Sequence, residues 1–348
     1  MMHDSGSASA EDRRTLIEEI QQLKSERNAV VLAHYYQRGE IQDVADDIGD
    51  SFKLAQEAAR TSADVIVLAG VMFMAETAKI LSPGKTVLIP DAKAGCPLAD
   101  SAPVQSFASY REQHPEHLAL TYINSSTEVK AFSDIICTSS VARKILAAIP
   151  KDQPVLFSPD ENLGRYIGEE LDRDMLLWKG NCLVHMRFSP EKLSEMRSQH
   201  PDAKVAAHPE CERAILDQAD FIGSTSAILK YSQDNPARKF IIVTEPGIIH
   251  QMKLADPTKE YLPAPSRGWA SENLCRNMKK NTLEKLHDSL LHLQPEIYVD
   301  EQLAEAARTP IQRMLDIGAA SGDEHIDIIR SIELPFQRSK IERQLAIA

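Results

Sequence analysis

Aromatic residues are scarce, 5% of the chain, and tryptophan occurs twice. Positive charge is short as well: 39 Lys and Arg against 51 Asp and Glu leave a formal net charge of −12. Without a basic stripe or interleaved aromatics, nothing matches the electrostatic and stacking footprint of a nucleic-acid binder. No run of eighteen apolar residues occurs, so no membrane-spanning helix is expected. The start, Met1-Met2-His3-Asp4-Ser5-Gly6-Ser7, has neither the basic nor the apolar region of a secretory leader, and a cytoplasmic protein is the expectation. Cysteine is limited to five residues, an odd number scattered along the chain and without a C-x-x-C pair. That argues against a disulfide scaffold and for reduced thiols or metal ligands. The acidity adds a constraint. An anionic ligand would have to be held by local donors such as helix N-termini, against the field of the whole molecule.

What the chain does have is a threefold internal echo. Each copy opens with a short apolar run ending in two polar residues at i, i+2: His34 and Tyr36, Tyr122 and Asn124, His208 and Glu210. Seventeen residues after the first of each pair stands a hydroxyl, Ser51, Ser139 or Thr225. Each copy then closes with a cysteine, Cys96, Cys182 or Cys275, while Cys137 and Cys211 fall outside the pattern. A repeat of about 87 residues carrying one thiol per copy predicts a pseudo-threefold molecule with three thiolates near its axis.

The periodicities predict strand–turn–helix–strand in every copy. Apolar strands are expected at 29–33, 65–69, 119–123, 155–157, 204–207 and 240–243, with helices at 51–60, 75–81, 139–148, 163–171, 224–231 and 247–253. Continuous apolar strands alternating with helices indicate parallel sheet covered on both faces. The fold expected is α/β, three homologous three-layer α/β/α domains around a pseudo-threefold axis. Its divisions are 1–27 (a disordered stretch to residue 12, then a helix), repeats at 28–112, 113–200 and 201–290, and closing helices in 291–348. Ligands bind such sheets at the carboxyl ends of their strands, where the polar pairs sit.

Thiolates from separate segments are typical of iron–sulfur clusters and structural zinc, and zinc usually wants four ligands drawn as close pairs. Three cysteines on a four-iron cluster would leave one iron open as a Lewis acid; the plainer alternative for any one cysteine is burial. The hydroxyls stand where N-caps stand, and capping alone would explain each singly. Three helix N-termini converging on an axis would instead make an anion site. Glu210 with His208 suits proton abstraction, and Tyr36 suits donation to a developing oxyanion. His185 reads equally as a support for these groups or as a surface histidine.

The motifs Ala33-His34-Tyr35-Tyr36-Gln37, Gly49-Asp50-Ser51, Ala94-Gly95-Cys96-Pro97, Thr121-Tyr122-Ile123-Asn124 and Cys137-Thr138-Ser139-Ser140 resemble the quinolinate synthase family. So do Gly180-Asn181-Cys182, His208-Pro209-Glu210-Cys211, Gly223-Ser224-Thr225 and Cys275-Arg276-Asn277-Met278, in order over about residues 28–290. The resemblance implies a [4Fe-4S] cluster on Cys96, Cys182 and Cys275 with substrate on its fourth iron, and Cys137 and Cys211 as non-ligands. It implies a transferase of NAD biosynthesis that condenses iminoaspartate with dihydroxyacetone phosphate to quinolinate, releasing phosphate and water. Ser51, Ser139, Thr225 and His208 would hold carboxylate or phosphate, with His34, Tyr122 and Asn124 lining the pocket. Glu210 would move protons, assisted by Tyr36 and His208. An L-aspartate oxidase would supply the iminoaspartate, by transient contact at most. Val141 and Met186 depart from residues common in the family. Two rival readings are another cluster-dependent hydro-lyase and a redox sensor without turnover.

Overall fold

The apolar runs become strands because only backbone hydrogen-bonded into a sheet and covered on both faces can hold such side chains out of water. The computed structural model describes residues 10–268, 273–321 and 324–337. The first unit comprises α1 (Ala10–Glu26), β1 (Ala29–His34), α2 (Gly39–Val44), β2 (Asp47–Gly49), α3 (Ser51–Arg60), β3 (Val65–Ala69), α4 (Met72–Leu81) and β4 (Thr86–Leu88). After α5 (Pro97–Asp100) and α6 (Val104–Gln113) follow β5 (Leu118–Tyr122), α7 (Thr127–Ala131), β6 (Ile135–Cys137), α8 (Ala142–Ala148), β7 (Val155–Ser158), α9 (Glu161–Glu170) and β8 (Leu176–Leu177). A 3-10 turn at His185–Arg187 and α10 (Pro190–Gln199) lead to β9 (Lys204–Ala207), α11 (Arg213–Leu216), β10 (Phe221–Ile222), α12 (Thr225–Asp234), β11 (Lys239–Val243), α13 (Ile248–Ala255) and β12 (Glu260–Pro263). A second 3-10 turn at Met278–Lys280 precedes α14 (Leu283–His292), α15 (Glu301–Ala319) and α16 (Glu324–Arg330).

The strands form three four-stranded sheets ordered β2-β1-β3-β4, β6-β5-β7-β8 and β10-β9-β11-β12, the same topology three times. All their pairings are parallel. Register confirms the echo. Ala33, Thr121 and Ala207 pair with Ala69, Ser158 and Val243. His34 pairs with Gly49 and Tyr122 with Cys137, two residues before Ser51 and Ser139.

The largest core joins units one and two: Leu68, Phe73 and Ile80 meet Leu120, Ile136 and Phe157, and α15 adds Ala307, Ile311 and Met314. The other face of the first sheet is covered by Ile20 and Leu23 of α1 with Leu283, Leu286 and Leu290 of α14. Each such Leu or Ile, fully buried, contributes roughly 1.5–3 kcal/mol. The third sheet has its own two cores, around Val205 and Ile241 and around Phe240 and Ile242.

One expectation fails at the N-terminus. Residues 10–12, read as disordered, begin α1, whose first turn carries Glu11 and Asp12 where the helix dipole favours acids; residues 1–9 lie outside the described residues.

Candidate active site

The carboxyl ends of the three sheets converge on a cavity of about 320 Å³. The ends of β1 and β5 bring His34 and Tyr122 to its wall, and the turns after β1, β5 and β9 bring Tyr36, Asn124, and His208 with Glu210. Ser51, Ser139 and Thr225 line it too, as do Cys96, Cys182 and Cys275. Every residue singled out for the site therefore meets in one place.

The three cysteines share one local geometry. Each opens a single helical turn, its carbonyl accepting the N–H four residues on: Asp100 to Cys96 at 3.1 Å, Met186 to Cys182 at 3.0 Å, Lys279 to Cys275 at 3.1 Å. Each sulfur in turn accepts the backbone N–H three residues on, from Ala99, His185 and Met278. Sulfur at the amino end of a helical turn is placed to be a thiolate. Burial works the other way, pushing Cys96 up to about 12 and raising Cys182 and Cys275. Three such thiols on one cavity fit a bound cationic group, which supplies the charge that burial withholds. Cys137 and Cys211 differ: both are fully buried in strand or turn core and neither lines the cavity, the Cys211 thiol donating to the Val243 carbonyl at 3.7 Å.

A second donor set, Cys182, His185 and Glu210, has ligand atoms within 4.8 Å of one another. His185 Nδ1 lies 2.6 Å from Glu210 Oε2, however. Two ligands about 2 Å from one tetrahedral ion stand roughly 3.3 Å apart, so this pair stands too close to flank one ion.

The two histidines at strand ends fold over their own backbone. His34 Nδ1 accepts the Tyr36 N–H at 3.1 Å and His208 Nδ1 accepts the Glu210 N–H at 3.4 Å. A main-chain amide can only donate, so Nδ1 is bare in both rings and Nε2 carries the proton. His208 Nε2 then donates to Ser139 Oγ at 3.2 Å. Burial, partly offset by nearby carboxylates, lowers His34 to about 4 and His208 to about 3, so both rings are neutral donors. Burial alone would raise Glu210, but His185 and His208 beside it and a hydrogen bond from Tyr122 hold it well below the usual carboxylate range. Burial and Glu210 raise both Tyr36 and Tyr122 well above the ordinary phenol value, so both keep their protons.

Tyr36 Oη lies 2.6 Å from Thr244 Oγ1 and 3.0 Å from Thr225 Oγ1, and Thr244 Oγ1 lies 3.0 Å from His185 Nε2. Hydrogen bonds thus run from Tyr36 through Thr244 to His185, whose other ring nitrogen makes the 2.6 Å contact with Glu210. His185 is 1% exposed and stacks on His208 with ring centroids 4.7 Å apart, which rules out the surface-histidine reading.

Two details correct the sequence reading. The hydroxyls are not the N-caps: Asp50 and Ser224 cap α3 and α12, accepting from Lys53 N and Ala227 N, and α8 starts three residues after Ser139. Capping by the preceding residue leaves Ser51 and Thr225 on the first turn, facing the cavity. The polar pairs also do not alternate along a strand, because β1 ends at His34, β5 at Tyr122 and β9 at Ala207. The turns that follow bring the second member, and in the third copy both, to the same wall. Asp50, Thr138, Thr244 and the rim arginines Arg187 and Arg276 carried no periodic signal and were missed; Asp50 was readable only as the acid before Ser51.

Cavities at the carboxyl ends of parallel strands, with acid–base groups whose proton affinities are pushed in opposite directions, define an enzyme of the α/β class. Residues 18–316 match the family model described as NadA, quinolinate synthetase A protein. The chain is 55% identical over 298 residues to a quinolinate synthase of Nostoc punctiforme, covering 86% of this chain and 92% of that one. It is 56% identical over 301 residues to one from Synechococcus (86% and 94%) and 52% over 302 residues to one from Trichodesmium erythraeum (87% and 94%). The chain belongs to the quinolinate synthase family.

Proposed function

We propose that this enzyme condenses iminoaspartate with dihydroxyacetone phosphate to quinolinate in NAD biosynthesis, releasing phosphate and water, with a [4Fe-4S] cluster on Cys96, Cys182 and Cys275. The observation that carries the reading is the threefold repetition of a cysteine opening a helical turn on one cavity shared with Glu210. When bound, the cluster would supply Lewis acidity through the iron that no cysteine holds.

The chain's own residues account for the rest. Glu210, held ionised, is the base that takes a carbon-bound proton and returns it at dehydration. The close contact with His185 and the hydrogen bond from Tyr122 fix its orientation. Tyr36, kept protonated, donates to the oxyanion formed on enolisation. The neutral His34 offers Nε2–H to carbonyl or carboxylate oxygen without adding charge, and His208 gives its Nε2–H to Ser139 Oγ and so orients that hydroxyl for substrate oxygen. Ser51 and Thr225, on the first turns of α3 and α12, together with Ser139 and Asn124, hold the carboxylates and the phosphate. These local donors answer the acidity of the whole chain. Among the described residues no helix is long and apolar enough to cross a membrane. Iminoaspartate hydrolyses readily, so an amino-acid oxidase such as L-aspartate oxidase would supply it, without need of a stable complex.

The test is anaerobic purification, iron and sulfide analysis, and assay with both substrates. About four iron and four sulfide per chain with quinolinate formed is the expected result. Zinc in place of iron, or a loaded protein that makes no quinolinate while Glu210→Gln behaves as wild type, would refute it.

A further inference from the structure

The three cysteine loops are tied to the sheets by different means. Ala69, Ser158 and Val243 are equivalent by register, so two residues further on Val71, Asp160 and Glu245 occupy one position. Asp160 Oδ2 accepts the amide N–H of Cys182 at 3.1 Å, and Glu245 Oε1 accepts that of Cys275 at 3.2 Å. Both carboxylates are fully buried. Asp160 also accepts the Leu163 N–H at 2.8 Å, and Glu245 accepts the Gly247 N–H at 2.7 Å and Lys279 Nζ at 2.9 Å. The packing around them is close: a Cβ on Gly180 would meet the Pro159 carbonyl at 2.4 Å, and one on Gly247 would meet Glu245 Oε2 at 2.7 Å. At Val71 no such acceptor exists, and the Cys96 loop is held main chain to main chain, Met72 N–H to the Ala94 carbonyl at 2.7 Å.

Burying a carboxylate costs several kcal/mol unless it is fully bonded. Neither of these lines the cavity, so substrate contact does not explain them. We propose that Asp160 and Glu245 are positioning residues that clamp the amides of Cys182 and Cys275 and so hold two of the three thiolates in place for the metal group, while among the described residues no side chain clamps the amide of Cys96. An amide engaged by a carboxylate cannot turn toward its own sulfur, so each sulfur keeps the orientation that its helical turn sets. The inference rests on the assignment of a cluster to the three cysteines and adds what holds them.

The test is the anaerobic rate of iron release to a chelator from loaded protein. Asp160→Ala and Glu245→Ala should release iron roughly tenfold faster or more. Asp160→Asn and Glu245→Gln, which keep one of the two acceptor oxygens but turn an NH2 toward the other N–H donor, should be rescued in part and fall between alanine and wild type, and Val71→Ala should release it near the wild-type rate. Rescue by the amides is the reading that a merely structural role would not produce. If Asp160→Ala does not fold, Glu245→Ala decides at the other cysteine. Alanine variants no faster than wild type, or amide variants as fast as alanine, overturn the clamp alone. A wild-type chain that takes up no iron overturns the cluster assignment and the clamp with it.

Discussion

Replacing Thr244 by valine removes one oxygen, nearly isosterically, from the middle of the link between Tyr36 and His185. Thr244 is 1% exposed, and its Oγ1 serves Tyr36 Oη at 2.6 Å and His185 Nε2 at 3.0 Å. Tyr36 keeps Thr225 as a partner at 3.0 Å, so its loss is one neutral hydrogen bond, about 1 kcal/mol. His185 Nε2 is left buried with no partner, at about 1–3 kcal/mol. The sum is about 2–4 kcal/mol, or on the order of a hundredfold in the unfolding equilibrium. Thr244→Ser keeps the oxygen and loses one methyl, about 0.8 kcal/mol. Urea unfolding of the metal-free chain, with Tyr36→Phe and the Tyr36→Phe/Thr244→Val double variant completing a cycle, separates the shared bond from the two single losses. Quinolinate formation should fall in Thr244→Val and return in Thr244→Ser. Valine and serine variants with equal urea midpoints and equal turnover would show that no such link operates.

Cys96→Ser, Cys182→Ser and Cys275→Ser should each abolish iron and sulfide binding, whereas Cys137→Ser and Cys211→Ser should retain both; cluster loss in either of the last two breaks the argument from periodicity. Acid should destabilise the metal-free fold early. His34 and His208, lowered from 6.5 to about 4 and about 3, bind fewer protons folded than unfolded. Their stability is therefore full above pH 6.5 and drains as pH falls toward 4 and below, on the order of 3 kcal/mol for His34 alone. The depressed Glu210 adds loss in the same direction below its ordinary 4.5. A urea midpoint unchanged between pH 7 and 5, or unaffected in slope by His34→Gln, counts against that account. Gly180→Ala should cost about 1–3 kcal/mol by overpacking against Pro159 and Ser101 and lower iron content, readable by thermal unfolding and iron analysis.

The chemistry-bearing residues were legible because the repeat forces them into register: a thiol, a hydroxyl and a polar pair recur where the same turn recurs. The long apolar strands were legible for the same reason that they are central, being buried on both faces. Edge strands such as Leu176–Leu177 and Phe221–Ile222 were not, since two paired residues leave no period to read. Short helices such as Thr127–Ala131, capped by Ser126, likewise fall below one amphipathic repeat. Asp160 and Glu245 escaped notice because a clamp on a neighbouring amide depends on tertiary approach and leaves no spacing along the chain. The N-caps were misplaced by one residue, because Asp50 and Ser224 can cap as well as the hydroxyl that follows each.

The pairing of α1 with α14 over the first sheet bears on the order in which the nascent chain can fold. Val31, Val67 and Ala69 are covered by Leu283, Leu286 and Leu290, more than two hundred residues downstream. The earliest-synthesised unit therefore keeps an apolar face open until nearly the whole polypeptide has left the ribosome, while the third sheet is covered mostly by its own neighbours. Completion runs backwards relative to synthesis, and a chaperone that shields exposed strand faces would have its longest task at the N-terminal end. Stalled chains ending near residue 270 should show a protease-resistant third unit and a cleavable first one, with protection of the first appearing only once α14 has emerged.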